Sequence, residues 1–203
     1  TAIKIIQMPK VTETTLEINL EALSSNYNFL KSKLQNNTLF LAVVKAFAYG
    51  SDAAVIANFL QKLNVDYFAV AYINEGIALR KAGITTPILV LHPQLTNLSL
   101  AIEYCLEPSL YTLKILKAFE GLAQQRNLKD YPVHIKFNTG LNRLGFEPNE
   151  LDLVVEQLSK TSVLKVKSVF SHLAASEDLD EKLFTLNQIA LYKSLSNTFI
   201  ENL

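Results

Sequence analysis

The 203-residue chain contains a single cysteine, Cys105. That scarcity excludes an internal disulfide framework and a cysteine-based zinc site, and it suits a reducing compartment, so a cytoplasmic location is expected. The three histidines, His92, His134 and His172, are too scattered to form a metal-ligand pattern, and no metal is expected. Six glycines form neither a P-loop nor a dinucleotide-binding fingerprint. The 19 acidic and 19 basic side chains cancel, leaving no electrostatic footprint for nucleic acid or an anionic membrane, and neither partner is expected. No apolar run approaches the roughly 20 residues that span a bilayer. The segment Thr1-Ala2-Ile3-Lys4-Ile5-Ile6-Gln7 lacks the long apolar centre and cleavage site of a signal peptide. It also lacks an initiator methionine, so the chain is expected to begin inside a longer polypeptide, with residues 1–13 a linker or the tail of an upstream domain.

What the chain does have is apolar pattern. Hydrophobic residues make up 49% of it, and this length buries a large core as one domain or slightly more. Thr14 to Leu20 alternates as a half-buried strand does, and Glu21 to Leu34 then repeats at helical spacing. Strand and helix follow in turn: strands at Leu39 to Lys45, Tyr67 to Tyr72, Ile88 to Leu91, near Leu110, Val133 to Asn138 and Val163 to His172. Between them lie helices at Asp52 to Leu63, Asn74 to Ala82, Thr96 to Tyr104, Leu113 to Arg126 and Asn149 to Ser159, and a long one closes the chain from Glu181 to Leu203. Such alternation with short connections predicts an α/β fold of parallel strands joined by right-handed crossovers. Setting the first strand apart, six βα units remain, where a TIM barrel has eight. Periodicity permits a doubly wound sheet equally. The tilt toward a barrel comes from unusual polar residues at the ends of several separate strands, as at a barrel mouth; a doubly wound sheet gathers its site at one switch point.

Three segments carry chemistry. In Ala42-Val43-Val44-Lys45-Ala46-Phe47-Ala48-Tyr49-Gly50, Lys45 ends an apolar strand that reads as buried on both faces. A lysine there, partly desolvated, is able to form a Schiff base with an aldehyde; bending out to solvent is its commoner, bland alternative. In His134-Ile135-Lys136-Phe137-Asn138-Thr139-Gly140-Leu141-Asn142-Arg143-Leu144-Gly145-Phe146, Lys136 stands between two apolar neighbours and Gly145 permits a sharp bend or close backbone approach. Arg143 is placed to reach the mouth and donate to an anionic oxygen, although a surface ion pair fits its spacing equally well. In Ser168-Val169-Phe170-Ser171-His172-Leu173-Ala174-Ala175-Ser176, His172 closes an apolar strand amid small residues, with room for a ligand beside its ring. His92 and His134 read as satisfied structural histidines.

These segments resemble the N-terminal part of the alanine racemase family, from about Thr14 onward. The family's Val-Val-Lys-Ala-Asn-Ala-Tyr-Gly resembles Val43 to Gly50, with Phe47 in place of asparagine. Its Lys-x-Asp-Thr-Gly-Met-x-Arg-x-Gly resembles Lys136 to Gly145, with Asn138 for aspartate and Leu141 for methionine. Glu75-Gly76-Ile77-Ala78-Leu79-Arg80-Lys81-Ala82-Gly83 is similar to the helix after the second barrel strand. The resemblance implies a pyridoxal-phosphate-binding TIM (β/α)8-type barrel over residues 14–203, incomplete at about six βα units and without the family's C-terminal β domain. It implies racemisation of L-alanine to D-alanine for peptidoglycan synthesis, in a homodimer when full-length, with this stretch inactive alone. Lys45 would hold the cofactor covalently and act as one base, Tyr49 would reach its phosphate, and Arg143 would donate to its phenolic oxygen. Lys136, carbamylated in many relatives, would orient Arg143, and His172 would lie alongside the ring. Asn138 changes the charge balance beside that lysine.

The variant forms Lys-Ala-Phe-x-Tyr-Gly-Ser and Ser171 to Ser176 are similar to the racemase half of bifunctional proteins with an upstream peptidoglycan-precursor ligase. Two alternatives are a single-domain pyridoxal-phosphate homeostasis protein, whose lysine is commonly set in Val-Ser-Lys-x-x-Pro, and a non-catalytic scaffold fused to a ligase.

Overall fold

Strands three to seven residues long cannot bury themselves; stacked side by side in one direction and covered by helices, they can. The computed structural model describes residues 15–203 and shows this arrangement. The strands are β1 (Leu41–Val43), β2 (Tyr67–Val70), β3 (Ile88–Val90), β4 (Glu107–Leu110), β5 (Tyr131–Lys136) and β6 (Leu164–Phe170). All are parallel, and their spatial order is their chain order. A doubly wound sheet reverses its order at a switch point. The order here never reverses, which is the topology of a barrel wall.

The helices are α1 (Leu20–Lys31), α2 (Lys45–Gly50, a single turn of unusual hand), α3 (Ala53–Lys62), α4 (Ile73–Lys81), α5 (Leu98–Glu103), α6 (Leu113–Gln125), α7 (Leu151–Ser159) and α8 (Lys182–Asn202). Asp52 and Thr112 start α3 and α6 by accepting N–H bonds from Val55 and Ile115, satisfying amides that a helix start leaves open. The core lies between these helices and the outer face of the sheet, and includes Phe68, Leu79, Leu116, Phe119, Phe137 and Phe146, all 2% exposed or less. Alternation along β5 and into the residue after it divides the labour: Val133, Ile135 and then Phe137 enter this core, while His134 and Lys136 line the cavity on the sheet's other face.

One expected element is not found. Residues 15–19 form no strand; Asn19 accepts the Ala22 N–H at 2.9 Å and caps α1, so its side chain competes for the backbone against sheet pairing. Thr14 and the expected linker at 1–13 lie outside the described residues. Lys45 also lies outside its strand, because β1 stops at Val43. Among the described residues β1 and β6 are the sheet's two edges, and Leu39, Leu41 and Val43 face the cavity while 66, 40 and 38% exposed.

Candidate active site

The sheet's inner face bounds a cavity of about 870 Å3. The cavity is reached by all five residues singled out in the sequence: Lys45 just beyond β1, Tyr49 at the end of α2, Lys136 at the end of β5, Arg143 in the following loop and His172 after β6. Lys136 is the deepest of them, at 5% exposure. Its ammonium lies 5.9 Å from the centroid of the Phe170 ring, and among the described residues it has no hydrogen-bond or ion-pair partner. An unpaired buried charge is costly, and the amine responds. Burial, then Arg143, then Lys45 push its pKa below 10.5. The His172 imidazole is held below 6.5 by burial first and then by Arg143, Lys136 and Lys45. Three cations and one imidazole thus share the site, and among the described residues no carboxylate is among the groups acting on Lys136 or His172. Such a field favours a bound anion.

The segment that presents Lys45 departs from ordinary helix geometry. Ala46, Phe47, Ala48 and Tyr49 all have φ between 51° and 59°, the left-handed region, at a cost of roughly 1–2 kcal/mol per residue for side chains with a Cβ. The turn is closed by Ala48 N–H to Val44 O at 3.1 Å and Ser51 N–H to Phe47 O at 2.8 Å. It is also held from outside: Glu75, in the first turn of α4, accepts the Ala46 N–H through Oε1 at 2.8 Å. Its Oε2 accepts the Ala71 and Tyr72 N–H groups at 2.6 and 3.0 Å. Nothing in Ala-Phe-Ala-Tyr announces a left-handed turn, which ordinarily draws Gly, Asn or Asp.

The loop after β5 returns on itself. Asn138 N–H donates to Phe146 O and Phe146 N–H to Lys136 O, both at 2.8 Å. The Asn138 amide donates to Asn142 Oδ1 at 2.8 Å and Glu147 Oε1 at 2.9 Å, while its Oδ1 accepts from the Gly140 and Asn142 N–H groups. A neutral amide is what this loop requires, since a carboxylate would oppose Glu147. Gln188 of α8, buried at 1%, accepts the Ala174 N–H and donates to His172 O, fixing the backbone around His172. Sequence reading missed both Glu75 and Gln188, whose partners lie 29 and 14–16 residues away.

His134 is the satisfied histidine expected. It is 3% exposed, with Nε2 2.8 Å from Glu107 Oε2 and Nδ1 2.7 Å from Ser168 Oγ. Glu107 also accepts the Tyr67 hydroxyl at 3.2 Å, and burial, then this carboxylate, push Tyr67 up to about 12. The network ties β2, β4, β5 and β6 together beneath the mouth. His92 also lines the cavity, its ring 5.4 Å from that of Tyr72 and 5.7 Å from that of Tyr111.

An amine at a barrel mouth, a hydroxyl and a cluster of cations define a parallel α/β barrel suited to an anionic aldehyde. The comparisons give the particular family. Residues 18–202 match the alanine racemase N-terminal domain, and the chain belongs to that family. The alanine racemase of Rickettsia canadensis is 37% identical over 187 residues, covering 91% of this chain and 52% of the relative. Alanine racemase 1 of Caldanaerobacter subterraneus is 34% identical over 174 residues, 84% of this chain and 44% of the relative. A solved alanine racemase from Clostridium difficile, in complex with cycloserine, superposes with a TM-score of 0.85 at 33% identity, over 91% of this chain and 50% of that one. The chain thus spans about half the length of the relatives it matches. Members of the family depend on pyridoxal phosphate, and the chemistry of the cavity fits that group, with an amine (Lys45), a guanidinium (Arg143) and a hydroxyl (Tyr49) lining it. Among the described residues no helix is long and apolar enough to cross a membrane.

Proposed function

We propose that the protein containing these residues interconverts L- and D-alanine with pyridoxal phosphate. The observation that carries this reading is the gathering of Lys45, Tyr49, Lys136, Arg143 and His172 around one cavity in a chain of this family. When bound, the cofactor supplies the electron sink that stabilises a carbanion at the amino acid's α carbon. Lys45 would hold the aldehyde at rest and, once the substrate's amine has taken its place, its freed Nζ would carry the α-proton on one face. Tyr49 and Arg143 would donate to the cofactor's phosphate and phenolic oxygens, and His172 would flank its ring. Racemisation also needs a base on the opposite face; the five residues supply one such base, Lys45, so this stretch alone is expected to be inactive. The physiological reading is D-alanine supply for peptidoglycan in the cytoplasm, by a homodimer of the full-length protein. The Phe47 and Ser171 to Ser176 variants support an upstream ligase joined through residues 1–13.

The decisive assay incubates the full-length protein with pyridoxal phosphate and L-alanine in deuterium oxide. D-alanine carrying deuterium at the α carbon is expected. Cofactor binding without isotope exchange at that carbon would overturn racemisation in favour of a binding protein.

Lys136 acts as a carbamate in this reading. Burial keeps more of its amine unprotonated; that nitrogen attacks carbon dioxide, loses a proton and becomes an anion able to orient Arg143. His172 reports the change. In carbonate-free buffer Lys136→Met is expected to raise the imidazole midpoint toward 6.5, because one repelling cation is gone. Bicarbonate should raise the midpoint in the wild type and leave Lys136→Met unmoved, as followed by NMR titration. A midpoint indifferent to bicarbonate in the wild type rules out the carbamate. The linkage sign is fixed: below pH 6.5 the unfolded chain takes up this proton first, so acidification costs stability, while well above 6.5 the imidazole is neutral in both states.

A further inference from the structure

We infer that Glu75 is a positioning residue for Lys45, its carboxylate fixing the left-handed turn that presents the amine to the cavity. The inference rests on Lys45 being the cofactor-bearing lysine. A carboxylate three residues past a helix start has an ordinary task, accepting the amide of the residue before the helix. Glu75 does this with Oε2 alone, at Tyr72 N–H. The other oxygen crosses to a different βα unit and takes the Ala46 N–H, the amide that follows Lys45 directly. The turn's own closure starts two residues later, at Ala48 N–H, so Glu75 supplies the partner that Ala46 lacks within the turn. Oε2 also takes the Ala71 N–H, which anchors the same carboxylate to the end of β2, the strand hydrogen-bonded to β1.

The geometry is demanding because the turn is strained. Four consecutive side-chain-bearing residues hold positive φ; Ala48 packs against the core, but Phe47 and Tyr49 are 78 and 69% exposed, so packing contributes little to holding those two. An ionised acceptor is the stronger kind for such amides. Released from it, Ala46 regains the right-handed and extended conformations, and the Lys45 side chain loses its fixed origin.

The test uses the full-length protein and two variants, Glu75→Gln and the double variant Glu75→Gln with Ala46→Gly. Glutamine keeps the size but has one acceptor oxygen; placed on the Ala71 and Tyr72 amides it retains two bonds and turns a donor toward the Ala46 N–H, so the Ala46 bond is the one that fails. Two quantities are read: hydrogen exchange of the Ala46 amide without cofactor, and affinity for pyridoxal phosphate from the visible band of the lysine adduct. Glu75→Gln is expected to speed Ala46 exchange and weaken cofactor affinity, each about tenfold. Exchange at Val44, bonded to Ala69 O, should stay at its wild-type rate. Ala46→Gly, with no steric objection to positive φ, should recover most of the lost affinity. A Glu75→Gln protein that only melts earlier, with wild-type Ala46 exchange and affinity, would make Glu75 a helix cap and nothing more; failure of glycine to rescue also overturns the inference. If the wild type captures no cofactor, the reading of Lys45 fails instead, and Ala46 exchange still decides whether Glu75 fixes the turn.

Discussion

Lys45→Ala is expected to cut covalent capture of pyridoxal phosphate by at least about 100-fold while leaving thermal stability within about 0.5 kcal/mol of the wild type. The comparison that gives this result meaning is with Lys136. Both amines line the same cavity, and burial and neighbouring cations lower the Lys136 pKa, so on nucleophilicity Lys136 is a serious competitor. Geometry argues for Lys45. Lys45 is half-buried at the mouth on a turn held by Glu75, whereas Lys136 lies deeper in the same cavity, at 5% exposure with its amine 5.9 Å from the Phe170 ring centroid. Borohydride reduction followed by peptide mapping separates the two. The label should fall on Lys45 in the wild type, remain there in Lys136→Met and vanish in Lys45→Ala. Label on Lys136 in the wild type would reverse the assignment and leave Lys45 as an electrostatic neighbour.

The placement of the site was legible for one reason: apolar strands that end in Lys, Lys-x-Asn and Ser-His break their own pattern, and such breaks survive folding. Lys45, Lys136 and His172 were found this way, and the chain-ordered sheet brings those strand ends to one cavity. The choice between barrel and doubly wound sheet was not legible from periodicity, because both use the same βα units; spatial order is a property of pairing between strands. The strand expected at 14–20 shows the opposite error over residues 15–19, which form none. Its alternation was real, but Asn19 offers the backbone a local cap, and the sheet's strands pair elsewhere.

What stayed hidden depends on distance in sequence. Glu75 looks like any helix-start carboxylate until Ala46 is beside it, and Gln188 like any glutamine on a surface helix until it is found at 1% exposure holding the His172 loop. Both act on backbone, so neither leaves a motif near the residue it serves. They share a logic with Asn138: each polar side chain immobilises the main chain next to a site residue, and the site residue's own side chain stays free for a ligand. That division explains how three cations persist with no ion-pair partner among the described residues. Rigid backbone hydrogen bonding keeps them in place while the field they create remains unspent.

Gly145→Ala is expected to destabilise the protein by roughly 3–5 kcal/mol, with a matching fall in the urea midpoint, or to prevent folding outright. Two independent costs fall on one methyl group. Gly145 has φ +135°, a conformation that residues with a Cβ rarely adopt. An added Cβ would also press into the Asn138 nitrogen, lie 2.6 Å from the Phe137 carbonyl carbon and 3.0 Å from Asn138 Cα. These are backbone atoms, so no rotamer change relieves the overlap. The chain would have to open the paired bonds between Asn138 and Phe146 and between Phe146 and Lys136. Phe146, fully buried against Phe137 with ring centroids 6.2 Å apart, would be drawn out of the core with it. The loop that opens carries Arg143, so any folded fraction should also lose affinity for pyridoxal phosphate, to a degree that a further Arg143→Ala change no longer increases. A Gly121→Ala control, inside α6 with open space around its Cβ position, should raise the midpoint slightly, since alanine favours a helix interior by about 0.5–1 kcal/mol, and leave affinity unchanged. A wild-type midpoint for Gly145→Ala would mean that the loop does not return onto β5.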